Sequence, residues 1–156
     1  MIKLSKASWK NILITTITIL IILIVLLSKA YIREDTLQRQ VNNAFGESLG
    51  LALGGLNIDY SKIDETSKVY HYSEVITGIG AAEGLIDFTS YKDVKGLSYT
   101  LYNLKLFLIQ NYSSGSGFSF ELEKQIDIYN LLLEIMLNPV DEDAITKLEE
   151  YIDSMR

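Results

Sequence analysis

The sequence contains no cysteine and a single histidine, His71, among its 156 residues. The absence of cysteine excludes disulfide bonds, thiolate catalysis and zinc sites built on thiolates. With one histidine, any Ser-His-Asp arrangement has to include His71. These two shortages remove many classes of enzyme before any motif is considered.

Positive charge is scarce beyond the first thirty residues. The formal net charge of -6 includes four lysines and no acid in residues 1–30, which leaves 10 basic and 20 acidic residues in 31–156. A surface with this acidic excess makes nucleic acid a poor partner. We therefore predict no nucleic-acid binding, and we assign residues 1–10 to a short basic N-terminal tail.

Aliphatic side chains, by contrast, are abundant near the N-terminus. Between Lys10 and Lys29, 13 of the 18 residues are Ile, Leu or Val, and none is charged. At 1.5 Å per residue, residues 11–28 form about 27 Å of helix, close to the roughly 30 Å hydrocarbon core of a bilayer. A buried helix of a soluble domain does not need such a run without a polar face. We therefore predict a transmembrane signal anchor over residues 11–28.

The end of this segment allows a second interpretation. Ser28, Lys29 and Ala30 form a small-x-small site for signal peptidase, so cleavage following Ala30 would give a secreted protein. The apolar run is long for a cleaved signal, and no Gly or Pro separates it from that site. We expect a single-pass protein of the cell membrane, with a cytoplasmic N-terminus and an extracytoplasmic domain over residues 29–156.

Residues 29–156 have the apolar spacing of helices, with intervals of three and four, and no alternating stretch longer than residues 70–73. The predicted fold class is all-α, an N-terminal transmembrane helix followed by an up-and-down bundle of four to five helices. The first helix should continue from the anchor to Leu56, since nothing between Ser28 and Gly46 stops it.

Several helix ends and one helix face can also be predicted. Asp64, Thr66 or Ser67 can cap the second helix and Asp141 the fifth, and residues 113–117 are predicted to be a flexible Ser/Gly loop. Asn138 and Pro139 should end the fourth helix, which begins near residue 119 and which we expect to be the most buried. Its predicted core-facing stripe is Leu122, Ile126, Tyr129, Leu133 and Met136, with Leu132 and Ile135 beside it.

Glycines recur inside the first two predicted helices at intervals of four, at Gly46, Gly50 and Gly54 and again at Gly80 and Gly84. With Gly78 they cost about 6 kcal/mol of helix propensity relative to alanine. We expect this cost to be offset by close packing of the two helices along these glycine faces. The alternative is that the first face is a soft or self-associating segment, because small residues every four positions also drive helices together in membranes.

His71 is the one place where an imidazole, a phenol and a carboxylate can meet, since Tyr70 and Tyr72 flank it and Glu74 follows three residues later. Two local ligands are too few for a metal. The acidic clusters at 121–127 and 141–143 lack the spacing of a calcium loop. We therefore predict no metal and no cofactor, and we keep His71 and Glu74 as a low-priority polar site.

No set of nucleophile, base and metal is visible, so we predict that the protein is not an enzyme. We expect a non-catalytic, membrane-anchored helical domain that binds another protein at the bacterial cell envelope, as an accessory, regulatory or immunity-type protein. Self-association into a homo-oligomer stays open. The alternatives are a ligand-binding sensor-like or secreted helical module, which needs an internal pocket, and a small membrane enzyme.

Overall fold

The computed structural model of the protein describes residues 6–113 and 115–156, and their side chains from residue 15 onward except residue 30. The described side chains do not include the predicted basic tail, residues 1–10. They also do not include Ala30, which precedes the alternative cleavage site. Residues Gln40–Arg156 form one compact unit.

Five helices and one short hairpin make up the regular structure of the described residues. They are α1 (Lys6–Leu56), α2 (Glu65–Leu85), α3 (Leu97–Gln110), β1 (Tyr112–Ser113), β2 (Gly117–Phe118), α4 (Leu122–Leu137) and α5 (Glu142–Ser154). Single turns of 3-10 helix follow α1 at Tyr60–Lys62 and α2 at Ile86–Phe88. The chain was predicted to be all-α and is nearly so, since the short hairpin is the exception, and the prediction that the first helix continues to Leu56 is confirmed.

The helix ends follow from local chemistry. The Asp64 carboxylate accepts a hydrogen bond from the backbone N–H of Ser67 at 2.9 Å and caps α2. Asp141 caps α5 in the same way, accepting from the N–H groups of Asp143 and Ala144 at 3.1 and 3.2 Å. Both predicted caps are confirmed.

The core of the compact unit lies where α3 packs against α2 on one side and α5 on the other, while α5 also packs against α4. Because α3 has helices on both sides, it buries seven residues, whereas α4 buries four. Our prediction that the fourth helix is the most buried was therefore wrong. Helix α1 adds an apolar face to this core: Phe45, Leu49, Ala52, Leu53 and Leu56.

The buried face of α4 agrees with the predicted one only in part: Leu132 and Ile135 are buried as expected, but the centre of the buried face is shifted away from the predicted stripe. Gln125, Ile128, Leu132 and Ile135 are buried, whereas Leu122 and Ile126 of the predicted stripe are 43% and 49% exposed. Aliphatic residues surround most of the circumference of α4, so periodicity fits more than one face, and packing against α5 selects the face that contains Ile128 and Leu132. An apolar face of α4 is thereby left partly open to solvent.

Helices α1 and α2 do approach each other closely, but at glycines other than the predicted ones. A Cβ at Gly78 would lie 2.5 Å from the Ser48 carbonyl oxygen and 2.6 Å from the Ala52 nitrogen. A Cβ at Gly55 would lie 2.5 Å from Val75 Cγ2 and against the carbonyl oxygen of His71. Gly55 and Gly78 are therefore the positions that let the two backbones meet.

The five glycines singled out by their spacing do not face this contact. Nothing lies within 4 Å of a Cβ built on Gly46, Gly54 or Gly84, and the nearest atoms to Gly50 and Gly80 are side-chain ends at 4.0 and 3.7 Å. The predicted packing along Gly46, Gly50, Gly54, Gly80 and Gly84 was therefore wrong, because the helices cross along a different face. Self-association through the α1 face stays a prediction.

Residues 112–113 and 117–118 pair as a short hairpin at the two ends of the segment that was predicted to be a flexible loop. Tyr112 pairs with Phe118 in antiparallel register, and Gly117 adopts a positive φ of 84° directly over the Tyr60 ring. The Tyr112 ring stacks on Tyr72 at a centroid distance of 3.7 Å, and Phe118 lies 5.0 Å from Tyr60. This aromatic cluster orders a segment whose Ser/Gly composition indicated flexibility.

Candidate functional site

The N-terminal part of α1 is the most apolar surface among the described residues. Its aliphatic side chains from Ile17 to Leu27 are each 47–69% exposed. One 18-residue stretch has a mean hydropathy of 2.2, and α1 is the one described helix long and apolar enough to cross a membrane. The expectation of an apolar N-terminal helix of membrane-spanning length is confirmed at this level.

A second apolar surface lies on the compact unit, and we call it the α1–α4 groove. One wall consists of the end of α1 and the segment after it, with Leu56, Asn57, Asp59 and Lys62. The other wall is the open face of α4, with Leu122, Ile126, Tyr129 and Asn130. The groove encloses about 330 Å³, a size at the lower end of ligand-binding clefts.

Gln125 holds the two walls of the α1–α4 groove together. Its side chain is 3% exposed, and its Nε2 donates hydrogen bonds to the carbonyl oxygens of Leu56 and Ile58 at 2.6 and 2.7 Å. The Leu56 carbonyl is one of the free acceptors that a helix leaves at its C-terminus. Gln125 is not among the residues predicted from the sequence, although its spacing of three and seven from Ile128 and Leu132 places it on their face.

The charges inside the groove are paired. The Lys62 ammonium lies 2.8 Å from the Asp59 carboxylate, which also accepts a hydrogen bond from the backbone N–H of Ser61 at 3.0 Å. The hydrogen bond from Lys62, together with those from Ser61, lowers the pKa of Asp59 to about 2. This wall of the groove therefore presents a neutral ion pair at neutral pH.

The Asp59 contacts predict a specific loss of stability in acid. Because the pKa is lowered in the folded state, the stabilising contribution is present above the ordinary value of 3.8 and is lost as the pH falls towards about 2. Asp59→Asn should lower Tm at pH 7 and make Tm fall less steeply between about pH 4 and 2. Thermal unfolding across this range measures both effects. Asp87→Asn, at another exposed carboxylate, is the control, and equal acid slopes for wild type and Asp59→Asn would contradict the prediction.

A smaller cavity of about 150 Å³ adjoins the groove, since Asp59 and Leu122 line both. Its other walls come from the aromatic cluster, chiefly Tyr60, Phe118 and Phe120. Burial raises the pKa of the Tyr60 hydroxyl far above its ordinary value, and this hydroxyl donates a hydrogen bond to the Gly55 carbonyl at 3.3 Å. Tyr60 is therefore a neutral structural donor here rather than a source of negative charge.

The structure brings the side chains around His71 together, as their spacing predicts. The Nδ1 atom of His71 lies 2.9 Å from Oε2 of Glu74, and the Tyr70 ring meets the imidazole edge-on at 5.1 Å. A hydrogen bond with Glu74 raises the pKa of the Tyr70 hydroxyl. The three groups lie on the first turns of α2 and do not line the α1–α4 groove. Among the described residues, no three His, Asp or Glu side chains gather as a metal site requires.

Comparison with known proteins found no relative: the chain matches no protein-family model, no curated protein and no solved structure.

Proposed function

We propose that the protein is a membrane-anchored, non-catalytic domain that binds another protein through the α1–α4 groove at the cell envelope. The observation that carries the proposal is the open apolar face of α4 opposite the end of α1. A well-packed domain normally buries such side chains, and an apolar surface rimmed by polar residues is typical of an interaction site.

The anchor is supported by the exposure of the α1 aliphatic side chains. In water, the ten aliphatic side chains from Ile17 to Leu27 would keep about half of their apolar surface hydrated, which is unfavourable. In a bilayer the same side chains favour insertion, and the helix satisfies its own backbone hydrogen bonds. The proposed orientation has the compact unit outside the cytoplasm.

The remaining helices support an up-and-down bundle as the body that presents the groove. Turns of a few residues connect α4 to α5, and the pairs α2 with α3, α3 with α5 and α5 with α4 pack along their apolar faces. Such a rigid body suits a binding surface, because the surface loses little conformational freedom when a partner docks.

A ligand-binding module is the second candidate, and the cavity next to the groove is the observation in its favour. Its volume of about 150 Å³ is smaller than ordinary ligand pockets of roughly 300–1,000 Å³. The groove itself is open along the exposed side chains of Leu122 and Ile126. An extended protein surface fits this open shape better than a small enclosed molecule.

The anchored topology gives a direct test. The full-length protein with a C-terminal tag should stay in the membrane fraction after alkaline carbonate extraction, because the α1 helix spans the bilayer. Protease added to spheroplasts should remove the tag, while a cytoplasmic control protein stays intact. A protected tag, or a mature chain that begins at Tyr31, would contradict the proposed topology.

A further inference from the structure

We infer that the occupant of the α1–α4 groove is a basic amphipathic helix of a partner protein, with aliphatic side chains on the face that enters the groove and Lys or Arg along its flanks. This inference rests on the proposed function and names the partner chemistry. It follows from the apolar lining of the groove, from its shape and from the charge around it.

The lining requires an apolar face on the partner. Leu122 and Ile126 lie one helical turn apart on α4, and both are nearly half exposed above the buried Leu56 side chain. Tyr129 continues the same wall. An aliphatic side chain of the partner that packs here removes apolar surface of both chains from water. Each Å² of apolar surface that is buried stabilises the complex by about 25 cal/mol.

The shape favours a helix over an extended strand. The α4 wall is itself a helix face, so apolar side chains at spacings of three and four can fit between Leu122 and Ile126. Addition of a strand needs a sheet edge several residues long beside the groove, but β1 and β2 are two residues each and do not line it. A helical partner brings its own backbone hydrogen bonds and needs only side-chain complementarity.

The charge favours a basic helix. Glu121 and Glu123 flank the groove residue Leu122 at the start of α4, and both are exposed. The other two acidic residues of α4 are engaged with α5, since Asp127 accepts a hydrogen bond from Tyr151 and Glu134 interacts with Lys147. Asp59 and Lys62 on the opposite wall neutralise each other. Lys and Arg on the flanks of the partner helix would therefore meet Glu121 and Glu123 at the rim of the groove, on a domain with an acidic excess.

The same charge disfavours a second copy of this chain as the occupant. Residues 31–156 have a formal charge of -10, so two copies that met at α4 would bring their acidic surfaces together. Like charges at an interface oppose association. The partner is thus a different chain with the opposite charge.

Site-specific photocrosslinking in the native membrane tests this inference on the full-length protein. A benzoylphenylalanine replaces Ile126 in one variant and Tyr99 in a second, and Tyr99 is 60% exposed on α3, which does not line the groove. Mass spectrometry then identifies the crosslinked segment. We expect position 126 to capture a helix-forming segment in which Lys and Arg outnumber Asp and Glu, with a several-fold higher yield than position 99.

Two further measurements separate the contribution of charge to the crosslinking yield from the contribution of apolar contact. Raising the salt from about 0.1 to 1 M shortens the screening length from about 10 to 3 Å and should lower the yield several-fold. Glu123→Lys, at an exposed position directly after Leu122 and three residues before Ile126, should also lower the yield. Asp87→Lys makes the same change of net charge at an exposed site outside the groove and should leave the yield unchanged.

Capture of a second copy, of lipid or of an acidic segment from position 126 overturns the inference, and so does a yield that neither salt nor Glu123→Lys lowers. If position 99 captures a protein and position 126 captures none, the groove inference fails while protein binding at the envelope stands. If neither position captures a protein, the proposed function fails as well.

Discussion

Gly78→Ala should destabilise the protein by about 1–3 kcal/mol, because the added methyl group overpacks the contact between α1 and α2. The new Cβ would lie 2.5 Å from the Ser48 carbonyl oxygen and 2.6 Å from the Ala52 nitrogen. Both are backbone atoms of α1, so neither moves aside by a change of rotamer. For a unit of this size, the loss corresponds to a Tm lower by roughly 4–15 °C.

Gly84→Ala is the matched control on the same helix. Gly84 is exposed, and nothing lies within 4 Å of a Cβ built on it. Alanine there removes flexibility from the unfolded chain and should stabilise the protein by about 0.4–1 kcal/mol. Urea unfolding of the full-length protein in detergent, followed by near-UV circular dichroism, measures both variants. A stabilised Gly78→Ala variant would show that the two backbones do not meet at this position.

The glycines show which features of helix packing can be predicted from periodicity and which cannot. The interval of four residues identified Gly46, Gly50 and Gly54 as one face of α1, and they do share a face, but that face does not contact α2. A regular interval shows which residues lie together on a helix and leaves open which neighbour the face meets. Gly55 and Gly78, which make the close contacts, have no repeating partner that would single them out.

Helix ends were predictable because their causes are local. Asp64 and Asp141 cap their helices through backbone N–H groups within three residues, so the signal and its effect lie in the same short segment. The hairpin was not predictable, since its strands pack against Tyr60 and Tyr72, some forty to sixty residues away in the sequence. The composition of residues 113–117 carries no information about those rings.

The contact between His71 and Glu74 could be predicted from the sequence, but the α1–α4 groove could not. The difference is that the first contact lies within one helix and the second joins distant elements. His71 and Glu74 are three residues apart on one helix, so their contact follows from helical geometry. The groove combines the end of α1 with a face of α4 that the pattern assigned to the core. Its existence depends on which side of α4 packs against α5, and the aliphatic residues around that helix do not decide this.

Gln125→Met should be the second strongly destabilising change, because it keeps the size of the side chain and removes its two donated hydrogen bonds. The bond to the Leu56 carbonyl is buried, and leaving that acceptor unpaired costs about 1–3 kcal/mol. The bond to the Ile58 carbonyl is partly exposed, so water can replace it at lower cost. Gln110→Met makes the same chemical change at an exposed position of α3 and should stay within about 0.5 kcal/mol of wild type.

The loss at Gln125 should also be local to the α1–α4 groove. Since Gln125 joins α4 to the segment after α1, its removal frees Asn57–Lys62 before it affects the α3 core. Hydrogen exchange of the full-length protein should therefore show faster exchange at the backbone amides of residues 57–62 in Gln125→Met, with the amides of α3 little changed. Unchanged exchange at 57–62, or equal acceleration throughout the compact unit, would show that Gln125 does not hold the two walls together.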